Sequence, residues 1–144
     1  GTPVFFTQIR IGQFRIPFKI YKFRTMSDGK INFIGKVLRK TGLDEIPQFI
    51  NIVKGEMSFV GPRPLTSFDI ERLNWSSKSY DFRWSVAPGI TGNAQLSNIC
   101  SAENSIQNDR FYVENKSVLY DFKIILKSLS IPFIGKGKKT IPIK

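Results

Sequence analysis

The stretch from Thr41 to Leu65, TGLDEIPQFINIVKGEMSFVGPRPL, leaves its backbone few choices. Pro47 lacks an amide hydrogen and fits a helix only within the first turn, so a helix has to begin close to Asp44. Ile46, Phe49, Ile50 and Val53 recur at helical spacing and predict one apolar stripe. Gly55 is a natural stop just past the last turn. A strand-like Ser58-Phe59-Val60 follows. Then Pro62 and Pro64 restrict the backbone on either side of Arg63.

Asp44 and Glu45 fall at the expected helix start, where unpaired amide donors and partial positive charge stabilise an anion. Asp44 is therefore expected to stay ionised at neutral pH. The ordinary role for such a residue is capping, by Asp44 itself or by Thr41 with Asp44 as the third helical residue. Arg39 ahead of the pair and the rigid Pro62-Arg63-Pro64 behind it point to a second role, because a preorganised guanidinium suits phosphate.

Charge and composition narrow the classes. The chain has 144 residues with a net charge of +11, which calls for a polyanionic partner: nucleic acid, anionic lipid headgroups or a diphosphate. With 41% hydrophobic and 13% aromatic residues it has the material for one domain with a real core. There is no histidine, which removes histidine-based triads, histidine-ligated zinc and a histidine general base together. A hard cation held by carboxylates fits the composition. The single Cys100 rules out an internal disulfide and suits a reducing compartment. No apolar run approaches the roughly twenty residues that span a bilayer, and no signal peptide is visible.

Along the chain, Val4–Ile11 and Phe18–Arg24 predict two strands of a hairpin. Its basic residues Arg10, Lys19, Lys22 and Arg24 read mostly as a solvated face. Ser27–Asn32 reads as a polar loop. Residues 33–40 predict a short helix with Ile34, Val37 and Leu38 inward. Thr66–Trp75 predicts another helix. Tyr80, Phe82 and Trp84 form an aromatic cluster, read as core or interfacial packing. Pro88–Gly92 is turn chemistry, with a strand expected over Ile90–Leu96. Residues 109–129 predict the longest helix, its stripe made by Val118, Leu119, Phe122, Ile125, Leu126 and Leu129, with Pro132 as its stop. The tail, 135–144, is basic, and next to an amphipathic helix it suits an anionic leaflet. The expected class is α/β: a small sheet or hairpin with several helices, one of them an amphipathic helix at a membrane surface.

The block LRKTGLDEIPQFINIVKGEMSFVGPRP resembles the signature of the bacterial sugar transferases, the monotopic polyprenol-phosphate phosphoglycosyl transferases. The resemblance extends through PVFFTQIRIG, PFKIYKFRTM, VAPGITGNAQL and YVENKSVLYDFKIIL, and so covers most of the chain. It implies a catalytic domain over 1–134 that lacks the family's N-terminal re-entrant membrane helix. It implies that Asp44 attacks the sugar-bearing phosphate of a UDP-sugar, releasing UMP and leaving a phosphosugar on the aspartate. Glu45 would share the catalytic work and hold Mg2+. Arg39, Arg63, Lys22 and Arg24 would meet substrate phosphates. Polyprenol phosphate, such as undecaprenyl phosphate, would accept the phosphosugar, at the cytoplasmic face of the bacterial inner membrane. The product would open capsule, exopolysaccharide, lipopolysaccharide O-antigen or glycoprotein synthesis.

Three departures stand out. Arg15 replaces a usual glycine. The loop after Met26 is short. Ile99 and Cys100 stand near where the family places a Gly-Arg pair. Arg15 implies only a differently built turn; the missing membrane helix, the short loop after Met26 and the altered Asn98–Asn108 stretch favour a rival reading, a truncated or decayed, inactive family member at the membrane surface. A basic nucleic-acid-binding module is the other rival; the scatter of basic residues and the lack of a recognised motif speak against it, and no nucleic acid is expected.

Overall fold

The structure is a computed structural model that describes residues 3–27, 29–31, 33–97, 99 and 101–129. The expected basic tail, Pro132, and residues 98 and 100 of the divergent stretch lie outside the described residues. Among the described residues the chain is a mixed α/β domain in which three two-stranded sheets are joined by helices.

The opening hairpin forms as expected. Strand β1 (Phe5–Ile11) pairs antiparallel with β2 (Pro17–Phe23), in a register running from Phe5↔Phe23 to Ile11↔Pro17. Alternation puts Phe18 and Ile20 in the core. The turn contains Phe14 at φ 54° and Arg15 at φ 59°, a conformation that side chains resist. Arg15 is held there by what its side chain touches. Its guanidinium meets Asp81 Oδ1 at 2.7 Å and lies 4.1 Å from the centre of the Trp84 ring. That is how the turn is built without the usual glycine.

A small hairpin, β3 (Met26–Ser27) with β4 (Lys30–Ile31), occupies the shortened loop. Helix α1 (Phe33–Thr41) follows, and two of its expected inward residues are corrected: Ile34 and Val37 are exposed. Helix α2 (Phe49–Val53) comes after a six-residue 3-10 turn, Leu43–Gln48, so Pro47 begins no long helix. The stripe Ile46, Phe49, Ile50 and Val53 faces outward. The buried residue of α2 is the polar Asn51, at 0% exposure. Its side chain donates to the Lys19 carbonyl and Glu56 Oε2, both at 2.7 Å, and accepts from the Tyr21 amide at 3.3 Å. This satisfies a group that would be costly to bury alone, and it clamps α2 to β2.

Strand β5 (Ser58–Val60) pairs in parallel with β6 (Gly89–Thr91). A Cβ on Gly89 would collide with the Gly61 nitrogen and the Thr91 carbonyl, so the backbones meet where only glycine fits. The strand expected over Ile90–Leu96 stops at Thr91, and Asn93–Leu96 is a helical turn, α4. Between these strands lie α3 (Ser67–Arg72) and a 3-10 segment, Lys78–Trp84. The single long C-terminal helix is corrected to two, α5 (Ala102–Asn115) and α6 (Val118–Leu129), broken around Lys116.

Among the described residues the core falls into three groups. Phe18, Ile20 and Met57 fill the space under the hairpin. Val60, Tyr112 and Ile124 join β5 to the last two helices. Ile70, Trp75 and Trp84 make the aromatic group, which settles Trp84 as core. By contrast Val118, Leu119, Phe122, Leu126 and Leu129 of the α6 stripe are exposed. No helix among the described residues is long and apolar enough to cross a membrane.

Candidate active site

Gly42, at φ 77°, turns the chain out of α1 and into the Leu43–Gln48 turn, whose first residues are Leu43, Asp44 and Glu45. Neither capping arrangement forms. Gly42 holds the position before the turn, and the Thr41 hydroxyl instead donates back to the Val37 carbonyl at 2.9 Å. The macrodipole of a long helix is also absent, because the turn spans only six residues. Asp44 and Glu45 are both half-buried. Lys22 Nζ donates to Glu45 Oε1 at 2.9 Å, with both side chains under one-fifth exposed. The Asn51 clamp fixes β2 against this region, which is why Lys22 meets Glu45.

Arg63 is presented by a segment bonded at nearly every step. The Gly61 amide donates to the Thr91 carbonyl at 2.9 Å, and the Gly89 amide to the Pro62 carbonyl at 3.0 Å. Arg83 Nη2 donates to the Arg63 carbonyl itself. Arg10 Nη1 donates to the Pro64 carbonyl at 3.2 Å, and the Ile11 amide to the Leu65 carbonyl at 2.8 Å. Pro62 and Pro64 are buried while Arg63 remains exposed. The backbone is held and the guanidinium is offered outward.

Glu45 and Arg63 share one cavity of about 710 Å³. Thr41, Gly42, Arg10, Asp69, Arg72, Arg83, Asp109 and Ile99 also line it. Four arginines therefore face three carboxylates. The most buried pair is Arg83 with Asp109, Nε to Oδ2 at 2.7 Å, each side chain under 5% exposed. Burial pulls Arg83 below its ordinary value and pushes Asp109 above its own, while each partner's charge works against that burial. Arg10 is also lowered, first by burial and then by the neighbouring charge of Arg63; Asp69 and Glu45 pull it back up.

The other expected phosphate ligands sit elsewhere. Arg39 Nε donates to Thr25 Oγ1 at 2.8 Å, joining α1 to the end of the hairpin. Arg24 Nε donates to the Pro3 carbonyl at 2.9 Å, and Arg24 does not line the cavity. Lys22 touches it only through Glu45 and a small adjoining recess that also contains Arg10 and Arg63. Sequence reasoning missed Arg10, Asp69, Arg72, Arg83 and Asp109. Arg10 was read with the solvated face of the hairpin; its partner Pro64 lies 54 residues on, so no local pattern marks it. Among the described residues no three histidine, cysteine, aspartate or glutamate side chains stand close enough together to hold a metal ion.

Chemically, the cavity combines a carboxylate-bearing turn with several guanidiniums, an arrangement suited to a phosphorylated substrate. The chain is 38% identical over 151 residues to the sugar transferase EpsL of Bacillus subtilis, covering 95% of this chain and 73% of that protein. It is 34% identical to the UDP-N-acetylgalactosamine-undecaprenyl-phosphate N-acetylgalactosaminephosphotransferase of Aeromonas hydrophila, over 95% of this chain and 37% of the relative. It is 36% identical to the UDP-glucose:undecaprenyl-phosphate glucose-1-phosphate transferase of Klebsiella pneumoniae, over 94% of this chain and 34% of the relative. Residues 1–135 match the model of one family, and the carboxylate turn and the clamped Arg63 both fall within that match, so the chain belongs to the bacterial sugar transferase family.

Proposed function

We propose that this domain transfers a sugar 1-phosphate from a UDP-sugar to a polyprenol phosphate, beginning a lipid-linked glycan. The observation that carries the reading is the shared cavity: Glu45 and Arg63 line it, and Asp44 is the neighbour of Glu45 in the same turn. A dianionic donor repels an attacking carboxylate unless cations intervene, and the lining arginines supply them. Two relatives named as acting on UDP-sugars and undecaprenyl phosphate support the same substrates here.

In this reading an Asp44 carboxylate oxygen bonds to the sugar-bearing phosphorus. The bond from that phosphorus to the bridging oxygen breaks, and UMP departs with the electron pair. An oxygen of polyprenol phosphate then attacks the same phosphorus and releases Asp44. Arg63 steadies phosphate charge throughout. Magnesium fits a shared site better than an all-protein cage: Glu45 offers one carboxylate, and this ion commonly takes its other ligands from substrate phosphates and water. Held there, it would neutralise phosphate charge.

The exposed apolar faces of α1, α2 and α6, with Lys36, Lys40, Lys54 and Lys123 exposed beside them, suit the cytoplasmic face of an anionic membrane, where a polyprenol carrier would be reached. One observation favours the rival reading of an inactive member: Ile99 lines the cavity near where the resembled family carries its Gly-Arg pair.

The test is UMP release from a panel of UDP-sugars, with mass spectrometry of the quenched protein. Asp44→Ala is expected to abolish release, whereas Asp44→Asn keeps the thermal melt and still forms no phosphosugar adduct. If Asp44→Ala makes lipid-linked sugar at the wild-type rate, the nucleophile is misassigned. An unmodified wild-type Asp44 with no UMP release favours the inactive member.

A further inference from the structure

We propose that Arg10 is a second guanidinium of the anion site, acting with Arg63 to hold the diphosphate of a nucleoside diphosphate; the nucleotide part of this statement rests on the transferase reading above. Arg10 is the penultimate residue of β1 and lines the same cavity as Glu45 and Arg63, and it enters the adjoining recess with them. Its side chain is only 15% exposed. Nη1 donates to the Pro64 carbonyl and Nη2 to Gln8 Oε1 at 2.7 Å, yet the buried Nε has no hydrogen-bond partner among the described residues. A guanidinium has five donors, so most of its capacity is unspent in a partly dry place.

The carboxylates nearby are already committed. Asp69 lies 3.8 Å from Arg10, at the outer limit of an ion pair. Its Oδ2 accepts from the Thr66 hydroxyl at 2.7 Å and its Oδ1 from Arg72 at 3.3 Å. Glu45 takes Lys22, and Asp109 takes Arg83. Arg63 makes no ion pair among the described residues. Two arginines thus stand near enough to repel each other, in a cavity whose acids are engaged. A diphosphate offers adjacent anionic groups and many acceptor oxygens, and it relieves both the repulsion and the missing bonds.

The competing account makes Arg10 a strut that only ties β1 to Pro64. Binding of inorganic pyrophosphate and of UDP, measured by calorimetry on the full chain in magnesium-containing buffer, separates the two. Arg10→Gln is expected to weaken both ligands by at least roughly tenfold, the loss of one or two charge-assisted bonds. Arg10→Lys keeps the charge and a donor for Pro64 but not the fork, so its melt should match the wild type while pyrophosphate binding still falls several-fold. Wild-type pyrophosphate affinity in Arg10→Lys, with Arg10→Gln losing affinity only as far as its melt falls, would reduce Arg10 to the strut and overturn the inference. Wild-type protein that binds pyrophosphate in an Arg10-dependent way, yet shows no affinity for UDP, would keep the two-arginine cradle and sink the nucleotide donor. Binding of neither ligand would overturn both.

Discussion

Arg83 shows how a single side chain serves both stability and the site. It is buried against Asp109, flanked by Trp75 and Trp84, and donates to the Arg63 carbonyl. Because burial opposes the charge on both partners, the pair itself contributes little net stability, but one partner alone is costly. Asp109→Ala should therefore destabilise the fold by about 3–5 kcal/mol in urea denaturation. The double change Arg83→Met with Asp109→Leu should recover most of that loss and still release UMP poorly, since the Arg63 backbone has lost its tether. Full activity in the double variant would show that Arg83 is only a core residue. None of these partners is visible locally: Asp109 reads as the start of a helix, and Arg83 as a cation beside aromatics. Their pairing spans 26 residues and depends on how α5 lies against the Lys78–Trp84 segment.

At the scale of elements, caps and turns decide more than periodicity. Helix α3 is begun by a reciprocal box: the Thr66 hydroxyl accepts from the Asp69 amide at 3.0 Å, and Asp69 Oδ2 accepts from the Thr66 amide at 3.4 Å. Burial pushes the Asp69 carboxyl up, but the Thr66 bonds, then Arg10 and Arg72, outweigh it, and its value lies below the ordinary 3.8. A carboxylate depressed in the folded state stabilises above its unfolded value and loses that contribution as pH falls through its folded one. Thr66→Ala should thus cost about 1 kcal/mol near neutral pH. The gap between the two proteins should narrow as denaturation is repeated below about pH 4. A gap that widens in acid would contradict the cap. The hairpin was legible because β2 alternates, and Arg15 in its left-handed turn was not, because its support comes from Asp81 and Trp84, far along the chain.

Across the whole molecule, apolar side chains divide between a modest core and broad exposed faces. Phe33, Phe49, Val53, Leu119 and Phe122 are all at least 48% exposed. Exposed apolar faces mark contact with something else, and the membrane contact proposed above makes a prediction for them. Val53→Glu combined with Phe122→Glu should leave the melt within a degree or two of the wild type, since neither residue is buried. The same protein should be retained several-fold less on liposomes containing phosphatidylglycerol. Unchanged retention would assign these faces to a different contact.

The local pattern of residues did not show the 3-10 turn that stands where a helix start was expected at Asp44, but it was enough to place the hairpin, the short helix before Asp44 and the rigid mount of Arg63. These depend on alternation, on glycine and on the fixed backbone of proline, which act between near neighbours. Periodicity marked amphipathic stripes on α1, α2 and α6 but not the direction they face, because a stripe facing a core and one facing a lipid have the same period. Which cations share a space with Glu45 was also undecidable along the chain. That depends on the parallel pairing of β5 with β6 and the bridge from Ile11 to Leu65, contacts that bring Arg10, Arg63 and Arg83 together only after the chain has closed on itself.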